Sequence, residues 1–507
     1  MNRDISATDL ERGFTSIHAG YISKISSYLT DTQLAGAKSA AIKMRTSLDG
    51  NDRPLKLLVA YGGGKDSSYT VAFIRLVQLL ILRDTGRTFF LRVATNRHAG
   101  MPPAVMQNID RCYQALGIDH DSLCEAFLID GSVIRPFSVA LALPGELAAR
   151  NRQDILMTAH RTRADARPTF CNACNLSMVS SFGLAAAHEG GVDIIVTGDS
   201  RYEQRSYLLW VNRLSKELGL PVARDSGFRG ILKTIDQISS RYFASIHDNQ
   251  KDLEERVVYT AVSSKLKFFS IYEDTSYDAG SHWALLTDCL KFEFDELAFS
   301  FTESDCANPL LMAHLRGLKC EHVYARSYDE GIVEYVNFAI NLMHEKKFPD
   351  SLICLVRDRY ATRVGREYMR KLATAYAWSA YGLSETHLIC MTYSPFVKQG
   401  ENLRLFLERE YPDYLRFESD LRRLLSGRRS QAGNLTDPNL IDTLERMSGL
   451  KLDQMQHLYA DTAAKECLSQ GKIDIIQHVL ERDPHKSLIE TRHHPDGPVV
   501  VEMISGR

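Results

Sequence analysis

Gly62-Gly63-Gly64-Lys65-Asp66-Ser67-Ser68 joins three permissive backbone positions to a lysine, a carboxylate and two hydroxyls. Glycines take positive φ without penalty and let a main chain approach an anion closely. A buried-strand pattern, Leu55-Lys56-Leu57-Leu58-Val59-Ala60-Tyr61, precedes the run, and a helix pattern from Ser67 to about Arg83 follows it. The start of a helix offers unpaired N–H groups and a partial positive charge. Ser67 and Ser68 add donors and Lys65 a point charge, so the segment reads as a cradle for phosphate. It is not a Walker A loop: Val59 stands where that pattern needs its first glycine, and Asp66 where Ser or Thr must follow the lysine.

The second constellation is Cys171-Asn172-Ala173-Cys174, set just before a helix pattern from Asn175 to Glu189. Two sulfurs at a helix start are held close and their pKa values are lowered. Such a pair binds zinc, shares an iron–sulfur cluster, or works as nucleophile and resolving thiol. It does not complete a metal site. Cys306, in the polar run Thr302-Glu303-Ser304-Asp305-Cys306-Ala307-Asn308-Pro309, is the preferred third ligand. Cys289 looks like one position of a helix core, and Cys320 is a weaker alternative. Two incidental buried thiols are the plain alternative for the pair.

These residues sit on alternating elements. Residues 31 to 48 carry an amphipathic helix pattern, with Leu34, Ala37, Ala41, Met44 and Leu48 on one face. After the first strand and helix come a strand over Phe89 to Ala94, a helix over Pro102 to Leu116 and a strand over Ala126 to Ile129. Further on are a strand from Val192 to Thr197, ending in Thr197-Gly198-Asp199-Ser200, and a helix from Tyr202 to Leu218. Strands at Leu266 to Tyr272 and Leu297 to Phe301 extend the pattern to about residue 315. Alternation of this kind predicts a parallel, doubly wound α/β sheet. Beyond residue 320 the reading is mainly helical, with a small second α/β unit as its rival. Leu352 to Val356 and His387 to Met391 fit a short strand or a helix equally, and Pro498 to Met503 reads as a terminal strand.

Gly62 to Ser67 resembles the SGGxDS signature of the PP-loop ATP pyrophosphatases, with Gly62 where that family has serine. The cysteine pair and the turn at Gly198-Asp199 fall in the family's order, and the likeness extends to the tRNA 2-thiocytidine synthetases and LarE-type sulfur-inserting enzymes. It covers residues 50 to 200 as motifs and reaches about 315 as a looser pattern. The usual aspartate pair after the second turn is replaced by Ser200, Arg201 and Tyr202. The resemblance implies an α/β, parallel doubly wound PP-loop (HUP-like) core over residues 51–320. A helical lead-in over 1–50 and a mainly helical region over 321–507 flank it.

What the family does implies an adenylating enzyme that converts ATP to AMP and pyrophosphate. Gly62, Gly63, Gly64, Lys65, Asp66, Ser67, Ser68, Gly198 and Asp199 would hold the nucleotide, with Asp66 and Asp199 near Mg²⁺. A carbonyl or amide oxygen would attack the α-phosphorus, and a nucleophile would then displace AMP. The first choice is sulfur, with Lys65, Asp66, Cys171 and Cys174 catalytic and Cys171, Cys174 and Cys306 holding a [4Fe-4S] cluster or Zn²⁺. Family members with a cluster also place a third cysteine well downstream. The second choice is an amide-forming ligase with structural zinc. An internal N-terminal-nucleophile glutaminase is excluded, because Asn2 stands where cysteine is needed. The third is a nucleotide-binding protein that has lost catalysis.

Charge bears on the acceptor. With 61 basic and 63 acidic residues, the chain lacks the excess of a dedicated nucleic-acid binder. A small-molecule acceptor is favoured over a tRNA base, which stays open, and a sulfur-donor protein and a homodimer are partners the reading allows. The first residues lack the apolar stretch of a secretory signal, and Leu76 to Leu82, broken by Gln78, is too short to span a bilayer. The expectation is a cytoplasmic protein without a membrane partner, whose ten cysteines are not a disulfide framework.

Other residues carry weaker signals. His160 to Arg167 forms a basic stretch that could receive an anion or be a solvated face. Asn96 and His98 follow the second strand, where a sheet edge would meet adenosine. Arg422-Arg423, Arg428-Arg429 and His493-His494 read as surface.

Overall fold

The computed structural model describes residues 13–49, 55–198, 201–220, 228–247, 250–271, 283–294, 296–297, 308–345, 348–427, 438–460, 474–481 and 486–505, with backbone alone at 47–49, 166, 171–175, 201–204, 206, 228, 250–252 and 438. Helices α1 (Ser16–Ser26) and α2 (Asp31–Asp49) lead into β1 (Lys56–Ala60) and α3 (Lys65–Thr85). Next come β2 (Phe90–Asn96), α4 (Pro103–Leu116), β3 (Cys124–Asp130) and the short β4 (Val133–Pro136). Then follow α5 (Gly145–Thr162), α6 (Ala166–Ala187), β5 (Ile194–Val196), α7 (Arg201–Glu217), α8 (Phe228–Ile246), α9 (Gln250–Glu255) and β6 (Lys267–Phe269).

The six strands form one sheet in the order β4-β3-β2-β1-β5-β6. All pairs are parallel except β3–β4, an antiparallel hairpin. Strands buried on both faces need apolar side chains at every position. Leu57, Val59, Leu91 and Val93 pack on one face with α2, α3 and α4. Leu58, Ala60, Ala94 and Ile195 pack on the other with α6 and α8. The sheet is therefore doubly wound, as the alternation predicts.

Helix α3 is buried along nearly its whole length, including Arg75 and Gln78. Arg75 grips Asp121 at 2.6 Å and donates to the Leu116 carbonyl, while the Gln78 amide donates to the carbonyls of Phe89 and Leu123. On β2, Arg92 meets Glu125 at 2.6 Å and donates to the carbonyls of Ala185 and His188, so a buried guanidinium closes the C-terminal end of α6.

Helices α10 (Asn308–Leu318), α11 (Tyr328–Glu345), α12 (Asp350–Ala361), α13 (Arg363–Tyr381) and α14 (Glu385–Tyr393) open the second half. The two ambiguous apolar runs both prove helical. In α14 a Ser384 cap, bonded to the His387 N–H, starts the helix. More helices follow to Glu481, and β7 (Lys486–Thr491) pairs antiparallel with β8 (Val500–Ser505). The largest apolar cluster joins Ile155, Leu156, Ile235 and Tyr242 of α5 and α8 to α10 through α14. The strand expected at 297–301 lies largely outside the described residues, and Leu297 itself is not in a strand.

The terminal hairpin is held through Glu502, which accepts from Arg316 at 2.9 Å and Lys319 at 3.1 Å. Burial alone would raise its pKa, but Lys319 and Arg316 more than offset that and hold it at about 2. A carboxylate depressed in this way stabilises the fold above its unfolded value, about 4.3, and loses that contribution as pH falls towards the folded value. Glu502→Gln should cost roughly 2–3 kcal/mol at pH 7. Denaturant midpoints for wild type and variant should converge between pH 5 and pH 2; a gap independent of pH would mean that the charge does not matter.

Candidate functional site

From β1 the chain proceeds through β2 and β3 to one side of the sheet, and β5 and β6 lie on the other. Adjacent strands β1 and β5 pair Leu57 with Ile194 and Val59 with Val196. Their C-terminal ends thus flank the point where strand order reverses, the crevice in which open α/β sheets bind ligands. The two turns singled out in the sequence, Gly62–Ser68 after β1 and Thr197–Gly198 after β5, leave the sheet at this point.

They touch. A Cβ on Gly198 would lie 2.8 Å from both the Cα and the nitrogen of Ser67 and 3.1 Å from the carbonyl carbon of Asp66. Only glycine lets the second turn pass against the first turn of α3. Gly63 has φ +85°, and a Cβ there would meet Val105 and Ile109 of α4 at 2.9 Å. Gly64 is the extended N-cap of α3, with φ −78° and ψ 172°, and supplies no side-chain cap. The helix begins at Lys65, two residues before the sequence reading, because Gly64 already accepts the first helical bond from the Ser68 N–H at 3.0 Å. An uncapped helix start beside a glycine turn is an anion cradle.

The hydroxyls divide the work. Ser68 is fully buried; it donates to the Gly64 carbonyl at 2.7 Å and lies 3.0 Å from the Tyr61 hydroxyl. It fastens the turn from behind. Ser67, half-buried, donates to the same carbonyl at 3.1 Å and lies on the more open side. Asp66 sits in the first turn, where its charge favours the helix dipole. Lys65 points inward: it is 1% exposed, its Nζ 5.7 Å from the Trp283 ring, 5.9 Å from the Phe348 ring and 3.7 Å from the Asp66 carboxylate. Two rings from distant segments thus hold the loop's cation by its charge.

The cysteine pair stands differently from the expectation. Helix α6 begins at Ala166, so positions 171 and 174 lie inside it and not at its start. Arg163 and Ala164, at φ 55° and 53°, reverse the chain after α5. Pro168 then falls in the first turn of α6, where a missing N–H costs nothing. Backbone N–H groups at 171 and 174 belong to the helical ladder, which removes the helix-terminus source of thiolate stabilisation. The side chains of Cys171 and Cys174, and the whole of Asp199 and Cys306, lie outside the described residues. Among the described residues no group of three or more His, Cys, Asp or Glu side chains could hold a metal. Of the alternatives, Cys289 is a buried core residue whose thiol is raised by desolvation. At Cys320 burial pushes the pKa up to about 11, although Arg316 and Arg326 oppose it.

The basic stretch spans the end of α5 and the turn after it, and its members differ. His160 is fully buried, and desolvation pulls it down to about 3. Arg161 pairs with Asp474 at 3.0 Å and Arg163 with Glu401 at 2.5 Å.

Sequence reasoning did not find a cleft one strand away, on the α6 side, at the ends of β2 and β3. Asn96 and His98 line it, joined by residues of α5, α6 and α10. Behind it Asp154, 4% exposed, meets Arg256 at 3.1 Å and His247 at 2.6 Å. Burial alone would raise the Asp154 pKa, but Arg256 and His247 hold it below the usual carboxylate range. Seven separate segments build this cleft, so no local pattern signals it.

Among the described residues no helix is long and apolar enough to cross a membrane. No family model matches the sequence, and no curated protein matches it.

Proposed function

We propose that this protein is an ATP-using enzyme of the PP-loop type, which adenylates a carbonyl or amide oxygen and releases pyrophosphate. The observation that carries the reading is the contact of Gly198 with the first turn of α3 at the strand-order reversal. That contact sets two glycine turns, an uncapped helix start and the Asp66 carboxylate around one crevice. Pyrophosphate would rest on the N–H groups of the Gly63–Ser67 turn, with the Ser67 hydroxyl turning from Gly64 to phosphate. Lys65, held by its aromatic neighbours, would offset charge from behind the loop. Asp66 and Asp199 are the carboxylates proposed to engage Mg²⁺. After adenylation a nucleophile displaces AMP; sulfur delivered through Cys171 and Cys174 is our preferred identity, with amide formation as the alternative.

The test is direct. With ATP labelled at the α-phosphate, the wild-type protein and a suitable acceptor should yield AMP and pyrophosphate in equal amounts, with no ADP. Asp66→Ala and Ser67→Ala should each slow that release at least tenfold while melting within a few degrees of wild type, since both side chains lie at a partly exposed helix start. Full activity in either variant would refute the site. Clear ATP binding with no turnover on any acceptor would leave a nucleotide-binding protein without catalysis.

A further inference from the structure

The terminal hairpin leaves a strand edge open. Among the described residues β7 and β8 pair only with each other, so alternate N–H and C=O groups of each point away from its neighbour. None of the described residues bonds the outward main-chain groups of Ser487 to Glu490. Proteins commonly shorten, charge or cover such an edge, because it is a template for another strand. Here a groove of about 260 Å³ runs along it, between Ser487–Glu490 and the face of α11 that carries Asn337, Asn341 and Glu345. Thr491 donates to Glu334 at 2.8 Å and joins strand to helix at one end. From there α11 runs 345 − 334 = 11 residues to Glu345, about 16 Å at a rise of 1.5 Å. Ser487 to Glu490 covers about 13 Å of strand. Asn337, Asn341, Glu345, Ser487, Leu488 and Glu490 are all exposed, so the groove is open to solvent along its length. A trough with an unpaired strand for one wall and a helix for the other fits an extended chain of about four or five residues.

Charge and apolar surface narrow the occupant. The lining carries three carboxylates and, among the described residues, no cation. Glu334 is already met by Arg316 at 2.6 Å and Arg326 at 2.8 Å. Glu345 and Glu490 have no partner among the described residues. On the outer face of the hairpin Leu488 stands opposite Met503, and the two are 64% and 50% exposed. Val501 continues that exposed apolar strip. Successive side chains of a strand point to opposite faces. A third strand on the β7 edge would thus set one series over α11 and the other beside Leu488 and Met503.

We propose that β7 is a docking edge, which takes an extended segment of a partner protein as a third strand. The segment carries lysine or arginine within reach of Glu345 and Glu490 and apolar side chains beside Leu488 and Met503. Main-chain bonds to the open edge supply affinity, and the alternation of basic and apolar side chains supplies selectivity. Docking of this kind needs no nucleotide chemistry.

Fluorescence anisotropy with the full chain and a dye-labelled Lys-Val-Lys-Val-Lys peptide is the test. That probe should bind saturably, and Glu-Val-Glu-Val-Glu at least tenfold more weakly. Only alternate N–H groups of an added strand face its neighbour. Of two probes N-methylated at the lysines or at the valines, one should therefore lose at least tenfold and the other stay within threefold. Asn341→Trp, which fills the groove from an exposed position, should weaken the probe at least tenfold, and Asn341→Ala should leave it within threefold. Glu345→Lys combined with Glu490→Lys should make the acidic peptide the tighter ligand. No binding, equal binding of the two peptides, equal loss from both methylated probes, an unchanged affinity in Asn341→Trp or an unchanged preference in the double charge reversal would each overturn the docking edge. Sedimentation of the protein alone addresses the rival occupant. A dimer that Asn341→Trp disperses would give the edge to a second copy and overturn the partner segment.

Discussion

Gly198→Ala is expected to slow pyrophosphate release by about a thousandfold, more than any single side-chain deletion around the same crevice. The added methyl would sit 2.8 Å from two backbone atoms of Ser67 and 3.1 Å from a third in Asp66. None of these atoms can rotate away as a side-chain end could. The first turn of α3 must therefore shift, and that turn carries the N–H groups proposed to hold pyrophosphate. Displacements near 1 Å are enough to cost about a hundredfold when reacting groups must be aligned, and lost electrostatic contacts add to that. Equilibrium ATP binding and turnover would both be measured. A variant with wild-type affinity and rate would show that the contact does not shape the site. The matched control is Gly190→Ala: Gly190 lies in the turn between α6 and β5, but nothing lies within 4 Å of its Cβ position, so only its φ of +78° is strained. It should lose stability and keep activity.

The largest loss of stability is expected from Arg256→Met. Its guanidinium pairs with Asp154 and lies 3.6 Å from the centre of the Phe243 ring. Methionine keeps much of the apolar contact but leaves the buried carboxylate with His247 alone. Removing one partner of a buried ion pair costs about 3–5 kcal/mol, chiefly because the other charge is left uncompensated. The pH dependence identifies the cause. In the wild type Asp154 is depressed, so its contribution is present at neutral pH and fades as pH falls through its lowered folded value. In the variant burial raises the Asp154 pKa, and protonation relieves the strain. Denaturant midpoints should therefore be furthest apart near pH 7 and approach each other towards pH 4. Arg256→Met combined with Asp154→Asn should be less destabilised than the sum of the two single variants. Additive losses would mean that the pair is not coupled.

The sheet was legible because its strands are buried on both faces. Leu57 to Ala60 and Phe90 to Ala94 are unbroken apolar runs apart from Arg92, and glycines mark where the chain turns. The crevice was legible because it depends on turns that directly follow those strands. The start of α6 was not. Pro168 resembles a break in the sequence but occupies a permitted first-turn position, and two left-handed residues before it hide the short passage from α5. The runs at 352–356 and 387–391 are too short for periodicity to choose, and their helices are decided by packing and by the Ser384 cap. Arg97, Asp154 and Arg256 carry no signal of their own in the sequence, since their burial follows from partners 33 and 102 positions away.

The shared core of α5 and α8 with the helices after residue 308 also sets an order of events during synthesis. Ile246 and Ile504 belong to one apolar cluster, yet 504 − 246 = 258 residues separate them. A ribosome adding about 5–20 residues per second needs roughly ten seconds to a minute to cover that distance. Through that interval the cluster lacks the side chains that the helices after residue 308 bring to it. The first half of the protein should thus emerge with its sheet assembled on one face and an oily helical flank on the other, a client for holding chaperones until the last hairpin arrives.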